Sequence, residues 1–268
     1  MKKTKLPVYC LLEKVKKTNP LVHHITNWVT VSDCAQILKS LGASPVMAHA
    51  KEEAAEMVSL SSALVLNIGT ITSDVLDAMM IASFKAREKG IPVILDACGA
   101  GATQFRDQSC FRLLDSGAIR IVKGNRTEIA RLNGSTTATR GVDAGEISQD
   151  LVKIAKELSR KIHGTVVITG EEDIVADRNT VYMVKNGHPL MAQVVGTGCM
   201  AASVIGAFAV VHLDYAQAAV AALSCFEIAA EVAAQSSGGP VAFKHTLFDC
   251  LSVLDKKTID TRQKIYIY

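Results

Sequence analysis

Short apolar runs alternate with longer amphipathic segments through the middle of the chain. The apolar runs cover residues 63–68, 91–95, 119–122 and 165–168, and each ends at glycine or polar residues. Segments of helical length separate them, including 73–89, which ends at the stop signal Gly90, and 147–161. Continuous apolar strands that alternate with helices are typical of a parallel sheet buried on both faces. The pattern therefore predicts an α/β fold.

The spacing of apolar and polar residues changes after Gly170. Residues 174–177 and 180–184 flank a turn at Arg178 and Asn179, which predicts an antiparallel hairpin on the edge of the sheet. From Met200 onward the chain is mainly helical and rich in alanine. We find no flexible linker and no repeat of fixed period, so we expect a single domain over residues 1–268.

Composition excludes several classes of partner. The chain has 268 residues, 49% of them hydrophobic and 21% charged, which is ordinary for a globular domain. A formal net charge of +3 without a run of lysine or arginine beyond the opening residues argues against nucleic acid. The longest apolar run, 200–213, is shorter than the roughly twenty residues of a membrane-spanning helix. We expect neither a nucleic acid nor a membrane as partner.

Localisation follows from the N-terminus and the cysteines. The apolar stretch 6–12 is interrupted by Glu13 and Lys14, with no small-residue cleavage site beyond it, so it does not resemble a signal peptide. Seven cysteines form no CxxC pair, and an odd number suits free thiols in a reducing compartment. These features predict a cytoplasmic protein.

Polar residues follow four of the predicted strands. In an open α/β sheet, ligands bind beyond the carboxyl ends of the strands. Each residue alone has a structural explanation: Asp96 could cap a helix, and Asn125 with Glu128 could form a reciprocal helix cap. Their joint occurrence nevertheless favours a binding site, formed from Asn67, Gly69, Thr70, Asp96, Lys123, Asn125, Glu128, Thr169 and Gly170.

The sharpest local signal is the turn Gly196-Thr197-Gly198-Cys199 before a long apolar segment. Two closely spaced glycines allow backbone N–H groups to converge, and the following helix directs its positive end at the same point. Such an arrangement binds anions and suits the charge that develops during phosphoryl transfer. The structural alternative is a glycine-containing entry to a buried helix. No GxxxxGK[ST] motif occurs, and the segment from Gly99 has Gln104 where a dinucleotide fingerprint needs its third glycine.

Five segments, taken in order, resemble the hydroxyethylthiazole kinases. They are NPLVHHITN at 19–27, LGASPVMAHA at 41–50, LNIGT at 66–70, GNRTEI at 124–129 and VGTGC at 195–199. The GASPVMAHA and VGTGC sequences are specific to that family, whereas the NxxE pattern at 125–128 and a GTG turn are shared across the ribokinase-like superfamily. The resemblance implies a ribokinase-like three-layer fold. It also implies transfer of the γ-phosphoryl group of ATP to 4-methyl-5-(2-hydroxyethyl)thiazole with Mg²⁺, in thiamine biosynthesis or salvage.

The resemblance also implies roles for individual residues. It assigns the proton acceptor to Cys199, and it places Mg²⁺ near Asp96 and Glu128. It further implies a homotrimer with the substrate site at a subunit interface. The thiazole would contact Asn27, Met47, Gly69, Thr70 and Gly196, and ATP would contact Lys123, Asn125, Thr169 and Gly198.

Two positions depart from the wider superfamily. The wider superfamily usually has an aspartate where this chain has Cys199, and the cysteine is itself the pattern of the hydroxyethylthiazole kinases. Asp96-Ala97-Cys98-Gly99 replaces a common Asp-Pro-Val-Gly sequence. A thiol at a helix N-terminus has a lowered pKa, and phosphoryl transfer needs only a weak base. Cys199 therefore suits the role of proton acceptor.

Three alternatives remain open from the sequence. Cys199 could be the nucleophile of a hydrolase or transferase, which needs a histidine beside it, although none of the seven is marked by spacing. A related ribokinase-like enzyme could act on hydroxymethylpyrimidine or pyridoxal, or could be a nucleotide-repair dehydratase. A sensor could bind ATP without turnover.

Overall fold

The computed structural model describes residues 1–135 and 151–268. Its described strands form one ten-stranded sheet with the order β1-β10-β9-β8-β7-β6-β5-β4-β2-β3. The strands are β1 Lys2–Thr4, β2 Leu21–Ile25, β3 Ser44–Met47, β4 Ala63–Asn67, β5 Val93–Asp96, β6 Ile121–Asn125, β7 Thr165–Thr169, β8 Asp173–Ala176, β9 Val181–Val184 and β10 Ile265–Ile267.

Six neighbouring strands, from β7 to β3, pair in parallel. Their carboxyl ends therefore meet along one edge of the sheet. Strands β8, β9, β10 and β1 extend the sheet by antiparallel pairing. The mostly parallel sheet and its antiparallel hairpin confirm the predicted fold.

Eleven α-helices pack on the two faces of the sheet within the described residues. They are α1 Val8–Thr18, α2 Val31–Leu41, α3 Ala54–Leu60, α4 Ser73–Lys89, α5 Gln104–Asp115, α6 Arg126–Leu132, α7 Leu151–Ile162, α8 Thr197–Val211, α9 Tyr215–Ala234, α10 Pro240–Ser252 and α11 Lys256–Arg262. A 3₁₀ helix, Pro189–Gln193, precedes α8. Apolar side chains of α3 to α7 form the core on one face, and those of α1, α2 and α8 to α11 form the core on the other. The molecule thus has three layers.

The predicted helix 73–89 has the bounds of α4, because Thr72 caps its start through a hydrogen bond from the Val75 N–H and Gly90 ends it with a left-handed backbone. The predicted helix 147–161 is present from residue 151, and its first residues lie outside the described part of the chain.

Helix α8 lies directly on the sheet. A side chain at Gly206 would place its Cβ 2.7 Å from Val65 Cγ2 on β4, so glycine permits this close approach. Helix α9 is long and apolar enough to cross a membrane by length and composition, but 83% of its apolar window is buried by the rest of the protein. It is a core helix in this fold. It packs closely against α8, whose N-terminus carries the Gly196–Cys199 turn.

Candidate active site

The turn predicted to bind anions forms the N-terminus of α8. Gly196 is the N-cap and has a left-handed backbone with φ 97°, and Cys199 lies in the first helical turn. The Cys199 sulfur accepts hydrogen bonds from Nδ2 of Asn27 and Nδ2 of Asn67, each at 3.3 Å. These asparagines follow β2 and end β4, so two strand exits converge on one sulfur atom.

The two asparagines belong to a buried network of polar side chains. Asn27 Nδ2 donates to Asn67 Oδ1 at 3.1 Å, and Asn67 Nδ2 donates to Asp96 Oδ2 at 2.7 Å. On the other side, Asn27 Oδ1 accepts from the Thr30 N–H and hydroxyl. Because each amide has partners on both ends, its orientation beside Cys199 is fixed.

A buried ion pair completes the network. Lys123 Nζ lies 3.1 Å from Asp96 Oδ1, and both side chains are almost inaccessible to solvent. Burial opposes the Lys123 ammonium, but the charges of Asp96 and Glu128 raise the pKa of Lys123. Burial raises the pKa of Asp96, and Lys123 opposes that shift. Lys123 also faces Gly198, because a Cβ at Gly198 would lie 2.9 Å from Nζ.

The surroundings of Cys199 favour its thiolate. The pKa of Cys199 is lowered to about 6, first because the Cys98 side chain hydrogen-bonds to it, and also because of Thr30 and Lys123. Burial and the charge of Asp96 act in the opposite direction. Cys199 therefore carries a substantial negative charge at neutral pH and can accept a proton.

Gly69 and Thr70 line the exit of β4 as predicted. The Gly69 N–H donates to Asn67 Oδ1 at 2.8 Å, and Thr70 Oγ1 accepts from the Trp28 N–H at 3.2 Å. The hydrogen bond between Trp28 and Thr70 therefore joins the loop after β2 to the loop after β4.

Asn125 and Glu128 form the helix cap that the sequence offered as the structural explanation. Asn125 Oδ1 accepts from the backbone N–H groups of Thr127 and Glu128. In return, Glu128 Oε2 accepts from the Asn125 N–H, and Oε1 accepts from the Gly99 N–H, both at 2.7 Å. Burial raises the pKa of Glu128. The Asn125 amide oxygen is thus occupied by helix α6, whereas Glu128 ties the exit of β5 to that of β6.

A cavity of about 720 Å³ opens beside the α8 N-terminus. Two of the predicted ATP-binding residues, Thr169 and Gly198, line one end of it. Its lining also includes the apolar side chains of Met191, Ala201, Leu223 and Phe226 and the charged side chains of Asp173, Lys185 and Glu227. Such a cavity suits a ligand with a flat apolar portion and a charged portion directed at Gly198.

Met47 lies on the edge strand of the sheet, beside β2. It is the last residue of β3, opposite His24 of β2, and it is half-buried on the strand at the edge of the sheet.

Sequence reasoning missed two residues of this site. Thr30 fixes Asn27, and it also packs against Gly196, where a Cβ would lie 2.6 Å from Thr30 Cγ2. Arg106 donates to three carbonyl groups, those of Ile68 at 2.8 Å, Cys98 at 2.9 Å and Gly69 at 2.7 Å. Neither residue stands at a strand exit in the sequence, so only the folded structure associates them with the site.

We expect Gly196→Ala to lower kcat/KM by about 100-fold, the order of loss that a displacement of 1 Å produces at a reacting centre. The backbone at this position is left-handed, which alanine adopts only with strain. The new Cβ would also push against Thr30, which holds Asn27. Steady-state kinetics would measure the change. Gly238→Ala is the matched control, because nothing lies within 4 Å of its Cβ position. Equal activity in the two variants would contradict this packing argument.

Arg106 is a positioning residue for the exits of β4 and β5. We expect Arg106→Ala to raise KM for the acceptor alcohol more than KM for ATP, since the Gly69 loop loses its anchor while the cavity beside Gly198 keeps its walls. Two-substrate kinetics would separate the two constants. Arg112→Ala changes an exposed arginine of the same helix and serves as the control. A uniform fall in activity with both KM values unchanged would rule out this role.

The contacts of Cys199 also bear on the hydrolase alternative. Across residues 1–135 and 151–268, no histidine hydrogen-bonds to the Cys199 sulfur. His24 of β2 contacts the same helix, where its Nε2 lies 2.9 Å from Ser203 Oγ, one turn beyond Cys199. Burial lowers the pKa of His24 to about 3. The histidine that a cysteine nucleophile needs is therefore absent from the described site.

Comparison with known proteins agrees with the geometry. The model of the hydroxyethylthiazole kinase family matches residues 12–257. The chain belongs to the hydroxyethylthiazole kinase family. Hydroxyethylthiazole kinase of Methanosarcina mazei is 50% identical over 254 residues, which cover 95% of this chain and 97% of that protein.

Solved structures support both the family and the fold. A hydroxyethylthiazole kinase protein from Pyrococcus horikoshii superposes with a TM-score of 0.90 at 39% identity, covering 97% of this chain and 98% of that one. A ribokinase-like superfamily protein from Enterococcus faecalis has a TM-score of 0.63 at 15% identity, covering 94% and 95%, and shows the fold alone. The family resemblance and the ribokinase-like fold expected from the sequence are confirmed.

Proposed function

We propose that this chain transfers the γ-phosphoryl group of ATP to the hydroxyl group of 4-methyl-5-(2-hydroxyethyl)thiazole, as one domain over residues 1–268 in the cytoplasm. The product would serve thiamine biosynthesis or salvage. The observation that carries the proposal is the convergence of Cys199, Lys123 and the Gly196–Gly198 backbone at the carboxyl end of a parallel sheet. Membership of the hydroxyethylthiazole kinase family supports the choice of acceptor.

Each part of the site has a role in this reaction. Cys199 accepts the proton of the substrate hydroxyl, and Asn27 and Asn67 orient its sulfur. The N-terminus of α8 and Lys123 stabilise the negative charge on the transferred group. The triphosphate would lie beside Gly198 and Thr169, and the apolar side chains that line the cavity would contact the base.

The carboxylates of this site fit a hydrated Mg²⁺ ion. Each oxygen of Asp96 and Glu128 already accepts one protein hydrogen bond, which leaves a second lone pair on each. Mg²⁺ retains several of its waters and takes only one or two carboxylates. When bound, the ion would neutralise charge on the ATP phosphates. Asp96 and Glu128 would hold its water shell. The positive charge of Lys123 offsets the repulsion between these two carboxylates.

We also propose a homotrimer whose interface covers the alcohol site. Three apolar side chains beside the predicted thiazole residues are exposed, namely Trp28 at 57%, Val29 at 68% and Val195 at 70%. Exposed apolar groups beside a site favour burial against another subunit. Met47 on the edge strand would then contribute to the site of a neighbouring copy.

Sedimentation equilibrium tests the trimer. We expect a mass of three 28.6 kDa chains, and we expect Val29→Asp to shift the protein toward monomer with loss of turnover. The control is Val253→Asp, an equally exposed position after α10. A fully active monomer would contradict the proposal.

ADP release tests the proposed reaction. We expect release only when Mg-ATP and the thiazole alcohol are both present, with one phosphorylated alcohol formed for each ADP. ATP binding without turnover on any alcohol would instead indicate a sensor. A covalent adduct on Cys199 formed without ATP would indicate a cysteine hydrolase or transferase.

A further inference from the structure

The wall of the cavity beside the α8 N-terminus contains a buried carboxyl group with an unused oxygen. Three polar residues that line this cavity, Asp173, Asn186 and Glu227, are buried, with 3%, 5% and 6% of their surface exposed. Asp173 Oδ1 accepts from the Gly170 N–H at 2.9 Å, and the Asn186 amide uses both its nitrogen and its oxygen in hydrogen bonds. Within the described residues, Glu227 Oε2 has no hydrogen-bond partner. Glu227 is thus the buried polar residue of this wall that retains a free acceptor.

Apolar groups surround Glu227 on the cavity wall. Leu223, one turn earlier on α9, and Phe226 line the same cavity. Gly187 lies over the Glu227 side chain, because a Cβ at Gly187 would be 3.8 Å from Glu227 Cγ and 3.7 Å from Met191 Sδ. The carboxyl group therefore borders the apolar side chains that would contact the base of ATP in the proposed function.

A neutral donor on a flat ring suits these surroundings better than a cation does. A metal ion would need the ionised carboxylate, whereas burial and the charge of Asp173 raise the pKa of Glu227 well above its ordinary value and favour the neutral acid. A protonated carboxyl group retains a carbonyl oxygen that accepts from an amino group. Adenine carries such an amino group at position 6 of its ring. Its pairing with Glu227 would satisfy an oxygen that is costly to leave buried and unpaired.

We propose that Glu227 accepts a hydrogen bond from the 6-amino group of adenine and makes the site select ATP over purine nucleotides that lack this group. The inference rests on the proposed function, which puts ATP in this cavity, and it adds the residue that recognises the base. In ligand pockets, a few polar groups among apolar walls fix the orientation of the ligand and provide specificity.

Equilibrium binding tests this contact without turnover. The full chain is titrated by calorimetry with Mg-ATP and with the Mg complex of purine riboside 5′-triphosphate, which has hydrogen in place of the 6-amino group. No alcohol is present. We expect Kd to be about tenfold higher for the nucleotide without the amino group, which is the effect of one lost hydrogen bond.

Three variants assign that ratio to one side chain. Glu227→Met removes the acceptor and keeps an unbranched side chain, so its two Kd values should be nearly equal. Glu227→Gln keeps a carbonyl oxygen and should keep the ratio. Glu171→Met is the control, because Glu171 lines the same cavity but is exposed to solvent, and it should also keep the ratio. Each ratio is measured within one variant, so an effect common to both nucleotides cancels.

The outcomes separate this inference from the proposed kinase. Equal Kd values in the unchanged chain, or a ratio that persists in Glu227→Met, would overturn the role of Glu227. Loss of the ratio in Glu227→Gln or in Glu171→Met would also overturn it. If the ratio depends on Glu227 as expected but no alcohol yields ADP, base recognition stands and the kinase proposal falls. If neither nucleotide binds, both fall.

Discussion

Cys199→Ala is expected to lower kcat by roughly 100- to 10,000-fold, the range that a positioned general base contributes. KM for the thiazole alcohol should change far less, because Asn27, Gly69 and Thr70 keep their own hydrogen bonds. Initial rates of ADP release at varied alcohol concentration would separate the two constants. A variant with wild-type turnover would remove Cys199 from the mechanism.

Cys199→Asp is the matched variant, since a carboxylate is ionised at pH 7 and can accept the same proton. We expect it to retain activity where the alanine variant does not.

The pH dependence of kcat gives a second test of Cys199 as the proton acceptor. The thiolate is the active form and its pKa is lowered to about 6, so kcat should rise as the pH increases through that value. In Cys98→Ala this rise should move to higher pH, because the largest cause of the lowered pKa is gone.

Lys123→Met is expected to reduce both turnover and stability. Removal of a charge that stabilises a transition state typically costs about 100- to 1,000-fold in kcat. The change also leaves Asp96 buried without its cation, and breaking a buried ion pair costs about 3–5 kcal/mol. Kinetics and urea unfolding would measure the two effects on the same protein.

Two controls separate the structural part of this effect from the catalytic part. Adding Asp96→Asn to Lys123→Met removes the orphaned charge while Asn67 keeps an acceptor, so stability should recover. Turnover should not recover, because both Lys123 and a carboxylate of the proposed Mg²⁺ site are missing. Lys185→Met changes a half-exposed lysine that lines the cavity beside Gly198 and is paired with Glu172, and it should cost at most about 1 kcal/mol. If the double variant regained activity together with stability, Lys123 would have only a structural role.

The central strands were predictable because their apolar runs are continuous and end at polar residues. The strands β2 and β3 were not predicted, although both carry site residues at their ends. β2 contains His23 and His24, which are fully buried but polar, and β3 contains Pro45. β1 and β10 have three residues each and pair with each other across nearly the whole chain, which no local pattern reveals.

The site was predictable as a set of strand exits but not as a network. The carboxyl-end rule brings Asn67, Asp96 and Lys123 together, as the structure shows. The pairing of Asn27 with Cys199 depends on how β2 lies beside β4, and the role of Arg106 depends on the direction of one helix. Such contacts follow from tertiary packing and have no signature in local sequence.

A comparison of acceptors tests the proposed phosphorylation of the thiazole alcohol. Purified protein with Mg-ATP would be given the thiazole alcohol, hydroxymethylpyrimidine and pyridoxal, and kcat/KM would be measured for each from ADP release. We expect a clearly higher kcat/KM for the thiazole alcohol than for the other two. Equal or greater kcat/KM for the pyrimidine or pyridoxal alcohol would contradict the proposed acceptor, and no turnover on any of the three would contradict the proposed kinase.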